Sequence, residues 1–342
     1  MTLVSIDSVS RNESRLAREI EERLRTNASL DVERIGDNVV ARTLGHHTTR
    51  LLVAGHLDTV PGDVSSAHVV DDRLIGLGAC DMKGSLAVML ELALDPTARS
   101  VEVTWVFYAR EEISRAESGL LEIAQLRPDL LDADAAVLAE PTGGCVEAGC
   151  QGTLRVTVEL VGERAHTARP FTGRNAVHRM GELIHHVAHY EPRSALVEGI
   201  TFVEQLQVVA VDGGVATNVV PDRARCTLNH RVAPDRTKDE AVAWLRDYLG
   251  GFLEERDSFD VADWAPPAPP ALESPRLRAL VKLTGRAARA KVGWTDVATL
   301  SEFGVAATNF GAGDPLLAHH QDESVTALQL DDFAATLGDW LR

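Results

Sequence analysis

The chain has 342 residues, 45% of them hydrophobic and 5% aromatic, which fits a globular α/β protein long enough for two domains. Its 51 acidic residues against 34 basic ones give a net charge of −17, which counts against nucleic acid as a partner, and no apolar stretch reaches the length of a membrane span. The four cysteines, Cys80, Cys145, Cys150 and Cys226, lack the spacing of a zinc knuckle or a disulfide framework, and residues 1–9 are too short and polar for a signal segment, so a cytoplasmic protein is expected.

Residues 13–25 place Leu16, Ile20 and Leu24 four apart on an otherwise charged segment, the pattern of a surface helix with one apolar stripe. Short strands follow within 30–43. The run Leu51-Leu52-Val53-Ala54-Gly55-His56-Leu57-Asp58-Thr59-Val60-Pro61 predicts a buried strand that delivers His56 and Asp58 to its C-terminal end, where open α/β sheets bind ligands. After a connector, Gly76-Leu77-Gly78-Ala79-Cys80-Asp81-Met82-Lys83-Gly84 sets Asp81 among small residues, directly before a helical pattern. A strand over 101–108 ends in Arg110-Glu111-Glu112, and another over 135–139 ends in Glu140-Pro141-Thr142.

From Thr153 the pattern changes to period two, the mark of a half-exposed antiparallel strand. Strands near 153–161, 201–211, 223–232 and 258–264, with helices near 175–190 and 239–249, give the order βαββαβ of a ferredoxin-like module. Ala265-Pro266-Pro267-Ala268-Pro269-Pro270 reads as a stiff linker back to the first domain. A helix near 275–288, a strand over 305–310, a loop over 311–321 and a terminal helix over 326–341 complete that domain. The expected organisation is 1–152 plus 265–342 for the larger domain and 153–264 for the insertion.

Singly, each candidate residue has an ordinary reading: His56 as a hydrogen-bonded structural histidine, Asp81 as a helix N-cap, Glu111 and Glu112 as exposed charges, Glu140 as a turn neighbour, His319 and His320 as loop surface. Jointly, three strand ends and one late Gly-rich loop each carry a histidine or carboxylate, the mixture that suits zinc.

These motifs, together with Ala318-His319-His320-Gln321-Asp322-Glu323, resemble the dinuclear zinc family of aminoacylases, acetylornithine deacetylases and glutamate carboxypeptidases across nearly the whole chain. Within it, Gly149-Cys150-Gln151-Gly152-Thr153 and Gly293-Trp294-Thr295-Asp296 most resemble the shorter, actinobacterial-type succinyl-diaminopimelate desuccinylases. The resemblance implies a zinc-peptidase-like α/β catalytic domain with a mixed central sheet and an inserted ferredoxin-like α+β dimerisation and lid domain. It implies two zinc ions, with cobalt or manganese an alternative in one site. Asp81 would bridge them, His56 and Glu140 completing one site and Glu112 and His319 the other. Glu111 would be the general base, Asp58 would accept the second ring proton of His56, and the Asp81–Met82 peptide would be cis. His166 would stabilise the oxyanion across a homodimer, while Asn218, Arg231, Thr295 and Gly311 would contact an N-acyl amino acid substrate. Two departures stand out: Arg110, where many relatives have Asp, and Cys150-Gln151, where longer desuccinylases have two arginines. Deacetylation of acetylornithine, dipeptide cleavage, and a non-catalytic amino-acid-binding role are the alternatives; the intact set of ligands and base speaks against the last.

Overall fold

A strand covered on both faces needs a continuous apolar sequence, and Arg50–His56, buried along all but its first residue, lies inside an eight-stranded mixed sheet. The computed structural model describes every residue except Pro96 and Ala98. The sheet runs in spatial order Leu30–Ile35, Asn38–Thr43, Glu102–Tyr108, Arg50–His56, Ala135–Leu138, Ala307–Asn309, Glu147–Ala148 and Arg289–Ala290. Arg50–His56 has parallel neighbours on both sides, Glu102–Tyr108 and Ala135–Leu138, and Ala307–Asn309 runs parallel to the latter. Four C-terminal ends therefore open along one edge, the position at which such sheets bind ligands.

The helix Ser14–Leu24 buries Leu16, Ala17, Ile20 and Leu24, the stripe read from sequence. Gly84–Leu94 is buried nearly all round because it packs on the sheet and also on the terminal helix Ala327–Trp340. That last helix is opened by a capping box in which Thr326 and Gln329 satisfy each other's main-chain amides.

Several elements differ from expectation. The connector after Pro61 holds a hairpin, His68–Val70 with Arg73–Ile75, whose second strand pairs with Ser324–Thr326; strands this short carry too little period-two signal to be read. The helix expected to reach residue 288 spans Pro275–Thr284, because Gly285 takes a left-handed conformation and caps it. The strand expected over 201–211 is divided: Ile200–Val203 forms a separate hairpin with Ser194–Val197, and Gln205–Gly213 joins a larger sheet.

By contact the chain divides into Met1–Gly149, Pro270–Lys291 and Thr295–Arg342 as one unit, and Cys150–Pro269 with Val292–Trp294 as the other. The second contains an antiparallel sheet of spatial order Gln205–Gly213, Arg223–Val232, Gly152–Val161, Ser258–Ala265, with helices Ala176–Ala188 and Lys238–Tyr248. Its core is the alternate set Leu154, Val156, Val158 and Leu160 packed with Met180, Leu183, Leu228 and Leu245. None of the described helices is long and apolar enough to cross a membrane.

Leu183 is fully buried in this core, so Leu183→Ala is expected to destabilise the protein by about 2–5 kcal/mol in urea denaturation. A shift below about 0.5 kcal/mol would mean that the helix does not pack as described.

Candidate metal centre

His56 ends its strand with the ring turned toward Asp81, Nε2 lying 3.0 Å from Asp81 Oδ1 and 4.0 Å from Glu140 Oε1. On the other side of the same aspartate, His319 Nε2 lies 3.8 Å from Asp81 Oδ2 and 3.0 Å from Glu112 Oε2. Asp81 thus offers one oxygen to each group. Two sets of candidate ligands result, His56/Asp81/Glu140 and Asp81/Glu112/His319, each with its donor atoms within 4.8 Å of one another, and Glu111 joins His56 and Glu112 in a third. The Asp81–Met82 peptide is cis.

Main-chain amides hold this arrangement. Asp58 Oδ1 accepts from Glu111 N and Oδ2 from Glu112 N, both at 3.0 Å, and Oδ2 also accepts from Ser10 Oγ at 2.7 Å. Glu323 Oε2 accepts from Cys80 N and Asp81 N at 3.1 and 2.9 Å. Arg110, with φ of 62°, turns the chain ahead of the glutamate pair. Its amide donates to Glu13 Oε1 at 3.0 Å, and its guanidinium binds the Glu117 carbonyl and Glu122.

One expectation is altered. His56 Nδ1 lies 2.9 Å from the main-chain carbonyl of Asp58 but 3.6 Å from its carboxylate. A carbonyl can only accept, so Nδ1 carries a proton; in the protonated ring Nε2 also donates, to Asp81 Oδ1 at 3.0 Å, and loss of that proton would free Nε2 as the ligand nitrogen. The Nδ1 proton is held by the backbone at the closer contact, because the Asp58 carboxylate is occupied with the Glu111 and Glu112 amides.

The electrostatics of the donor set suit a cation. Burial first, and Glu140 second, raise the Glu111 carboxyl well above its usual range. Burial and then Asp81 bring Glu140 to about 7, and its buried Oε1 has no hydrogen-bond partner among the described residues. Burial opposes the charged form of His56, but Asp58 and Asp81 outweigh it and hold the ring's pKa well above normal. The hydrogen bond to Glu112 is the main reason that His319 reaches about 9. Protons are retained here because the clustered, buried carboxylates are only partly offset by His56, His319 and Lys291, and divalent cations bound by imidazole and carboxylate would supply the missing positive charge. The residues fit two such ions.

Other predicted residues fall into two classes. In the second unit, His166 bridges Val219, and Thr167 N donates to Asn218 O at 3.1 Å, so His166 and Asn218 are held side by side. Arg231 donates to Thr153 Oγ1 at 2.7 Å. In the first unit, Thr295 and Gly311 are both engaged within the protein. The Thr295 hydroxyl, buried, donates to Asn309 Oδ1 at 2.9 Å, and Gly311 N donates to Thr142 Oγ1 at 3.3 Å. A Cβ on Gly311 would stand 2.1 Å from Ala139 O, so this glycine permits close packing against the strand end that presents Glu140. Sequence reading assigned no task to Glu13, Ser10 or Lys291. Lys291, at 3.2 Å from Glu147, also acts electrostatically on Asp81 and Glu140, and nothing in its local sequence signals this.

A profile of peptidase family M20/M25/M40 matches residues 52–342. A Mycobacterium tuberculosis protein provisionally named succinyl-diaminopimelate desuccinylase DapE is 46% identical, covering 94% of this chain and 91% of that one. A succinyl-diaminopimelate desuccinylase of Corynebacterium glutamicum is 41% identical over 99% of this chain and 94% of its own length. Among solved structures, aminopeptidase PepT from Bacillus cereus superposes with a TM-score of 0.80 at 17% identity, covering 100% of this chain and 95% of that one. The metallo-carboxypeptidase Sso-CP2 from Sulfolobus solfataricus gives a TM-score of 0.75 at 18% identity, with 99% and 97% coverage. At these identities the two structures speak for the fold alone.

Metal uptake by the metal-free protein should release protons, since ligands bind deprotonated. His319, raised from 6.5 to about 9, is imidazolium at pH 7, so the stabilisation from its pairing with Glu112 is complete below pH 6.5 and lost as pH rises through 9. Metal affinity should change in the opposite sense. Calorimetry in buffers of different ionisation enthalpy should find net proton release at pH 7 that diminishes toward pH 10; release independent of pH would contradict the assignment.

Proposed function

From the premise that this chain belongs to peptidase family M20/M25/M40, we propose that it is a metal-dependent amidohydrolase that cleaves N-succinyl-LL-2,6-diaminopimelate to succinate and LL-diaminopimelate. The observation that carries the proposal is the pair of ligand sets sharing Asp81 with Glu111 alongside. The substrate follows from the names of relatives 41% and 46% identical over nearly the whole chain. Zinc suits the imidazole and carboxylate donors of both sets, with cobalt or manganese an alternative in one.

When bound, two divalent ions polarise an amide carbonyl and acidify a water. Glu111 is the base that takes the water's proton and delivers it to the leaving amine. Its high proton affinity suits the second step, and the grip of Asp58 on its amide keeps the carboxylate in place. The tetrahedral oxyanion needs a donor, and His166 is prepared for it. Ala168 N donates to His166 Nδ1 at 3.0 Å, so the neutral ring carries its proton on Nε2. Asn218 and Arg231 are the candidates for substrate carboxylates. Gln151, at one position of the missing arginine pair, is buried and donates to Val203 O at 2.9 Å, which leaves recognition of the succinyl carboxylate to another cation.

The second unit serves as the inserted ferredoxin-like lid and dimerisation domain. Its strand order supports that reading, as does Gln205–Gly213, an edge strand exposed over most of its length and available for pairing with a second copy.

Steady-state rates on N-succinyl, N-acetyl and dipeptide substrates test the substrate class, and kcat/KM is expected to be highest for the succinyl compound. Glu111→Gln should lower kcat by roughly 10²–10⁴-fold with metal content intact, whereas Glu112→Gln should lose metal. A Glu111→Gln enzyme close to wild-type rate would remove the base assignment.

Sharing of His166 between subunits has its own check. His166→Ala should reduce kcat by about 10²–10³-fold, and mixing it with Glu111→Gln should recover activity, because a heterodimer has one site with both residues intact. A mixture that stays inactive after demonstrated subunit exchange would exclude a shared site.

A further inference from the structure

Outside the Asp81 centre, the exposed face of helix Ala176–Ala188 and its C-cap carries His178, Glu182, His185 and His189. Residues three and four apart on a helix are neighbours on one face. With His186 and Phe252 they line a groove of about 780 Å³. Gly181 leaves the middle of this face open, with no atom within 4 Å of the place a Cβ would occupy.

Two features distinguish this face from an ordinary polar one. The His185 and His189 rings stand 4.3 Å apart between centroids. His189 Nδ1 also lies 2.8 Å from the main-chain carbonyl of His185. That carbonyl is free because the helix ends here and His189 N donates to His186 O and Val187 O instead. Since a carbonyl only accepts, Nδ1 of His189 holds the proton and Nε2 presents a lone pair, the tautomer of a metal-binding imidazole oriented by its other nitrogen. His186 is otherwise engaged, its Nε2 being 3.2 Å from Tyr248 O and its ring stacked on Tyr248.

We propose that the paired imidazoles of His185 and His189 form a transition-metal site separate from the Asp81 centre. Two histidines four apart are the helical spacing that grips zinc. Imidazole donors select zinc, nickel and copper over magnesium and calcium. A cation at this C-terminal end also meets the negative pole of the helix.

The test is a calorimetric titration with Ni²⁺ of the enzyme whose catalytic centre is already loaded, with displaced catalytic metal followed by a chromogenic chelator. One further equivalent per chain is expected, without displacement. His185→Gln and His189→Gln should each weaken it by roughly tenfold or more, and together abolish it, with the hydrolytic rate unchanged. Both side chains are exposed, and an unchanged rate certifies that the variants fold. Absence of the extra equivalent, nickel uptake matched by release of catalytic metal, or undiminished binding in the double variant would each overturn the proposal.

Discussion

Bringing Asp81, Glu111, Glu112 and Glu140 to one edge of a sheet sets like charges against one another in a largely buried space, and much of the surrounding structure answers to that cost. Two further carboxylates, Asp58 and Glu323, act as acceptors for pairs of main-chain amides rather than as additional ligands. Amide donors offset part of the charge on these outer groups, while His56, His319 and Lys291 face the inner ones. The remaining imbalance appears as raised proton affinities at Glu111 and Glu140. A site with this electrostatic character is built for cations, and its apo form substitutes protons for them.

The inner set was legible because its elements are local. An apolar run ending in His56, two strands ending in glutamates and a small-residue turn before a helix each signal their geometry within about ten residues. The outer set was not. Glu323 meets Asp81 across 242 positions of sequence, and Glu13, which accepts from the Arg110 amide, stands at the head of a segment that reads as a charged surface helix. Such contacts arise from tertiary placement and have no periodicity to betray them. The same limit explains the hairpin at His68–Val70 and Arg73–Ile75, whose partner strand lies near the other end of the chain.

Arg110 is the clearest case of a departure that the fold absorbs. Its backbone takes a left-handed turn, and its side chain is directed to Glu122 and the Glu117 carbonyl. Glu122 in turn accepts from Asn38 at 2.9 Å, so the segment before the glutamate pair is tied to a sheet strand. An arginine here therefore braces the backbone that carries Glu111 and Glu112.

The way the second unit's main segment begins and ends carries an implication for how such proteins are assembled. Thr153 pairs with Ala265 on adjacent antiparallel strands, and Cys150 forms a bridge with Ala268 just beyond them. Entry and exit are thus paired neighbours, about 5 Å apart at the Cα atoms. A segment with such ends can be gained, lost or exchanged at the length of a tight turn, without new connections elsewhere in the chain. Loops of the second unit such as that of His166 can then diversify by swapping a cassette, while the sheet edge that carries Asp81, Glu112 and Glu140 keeps its geometry.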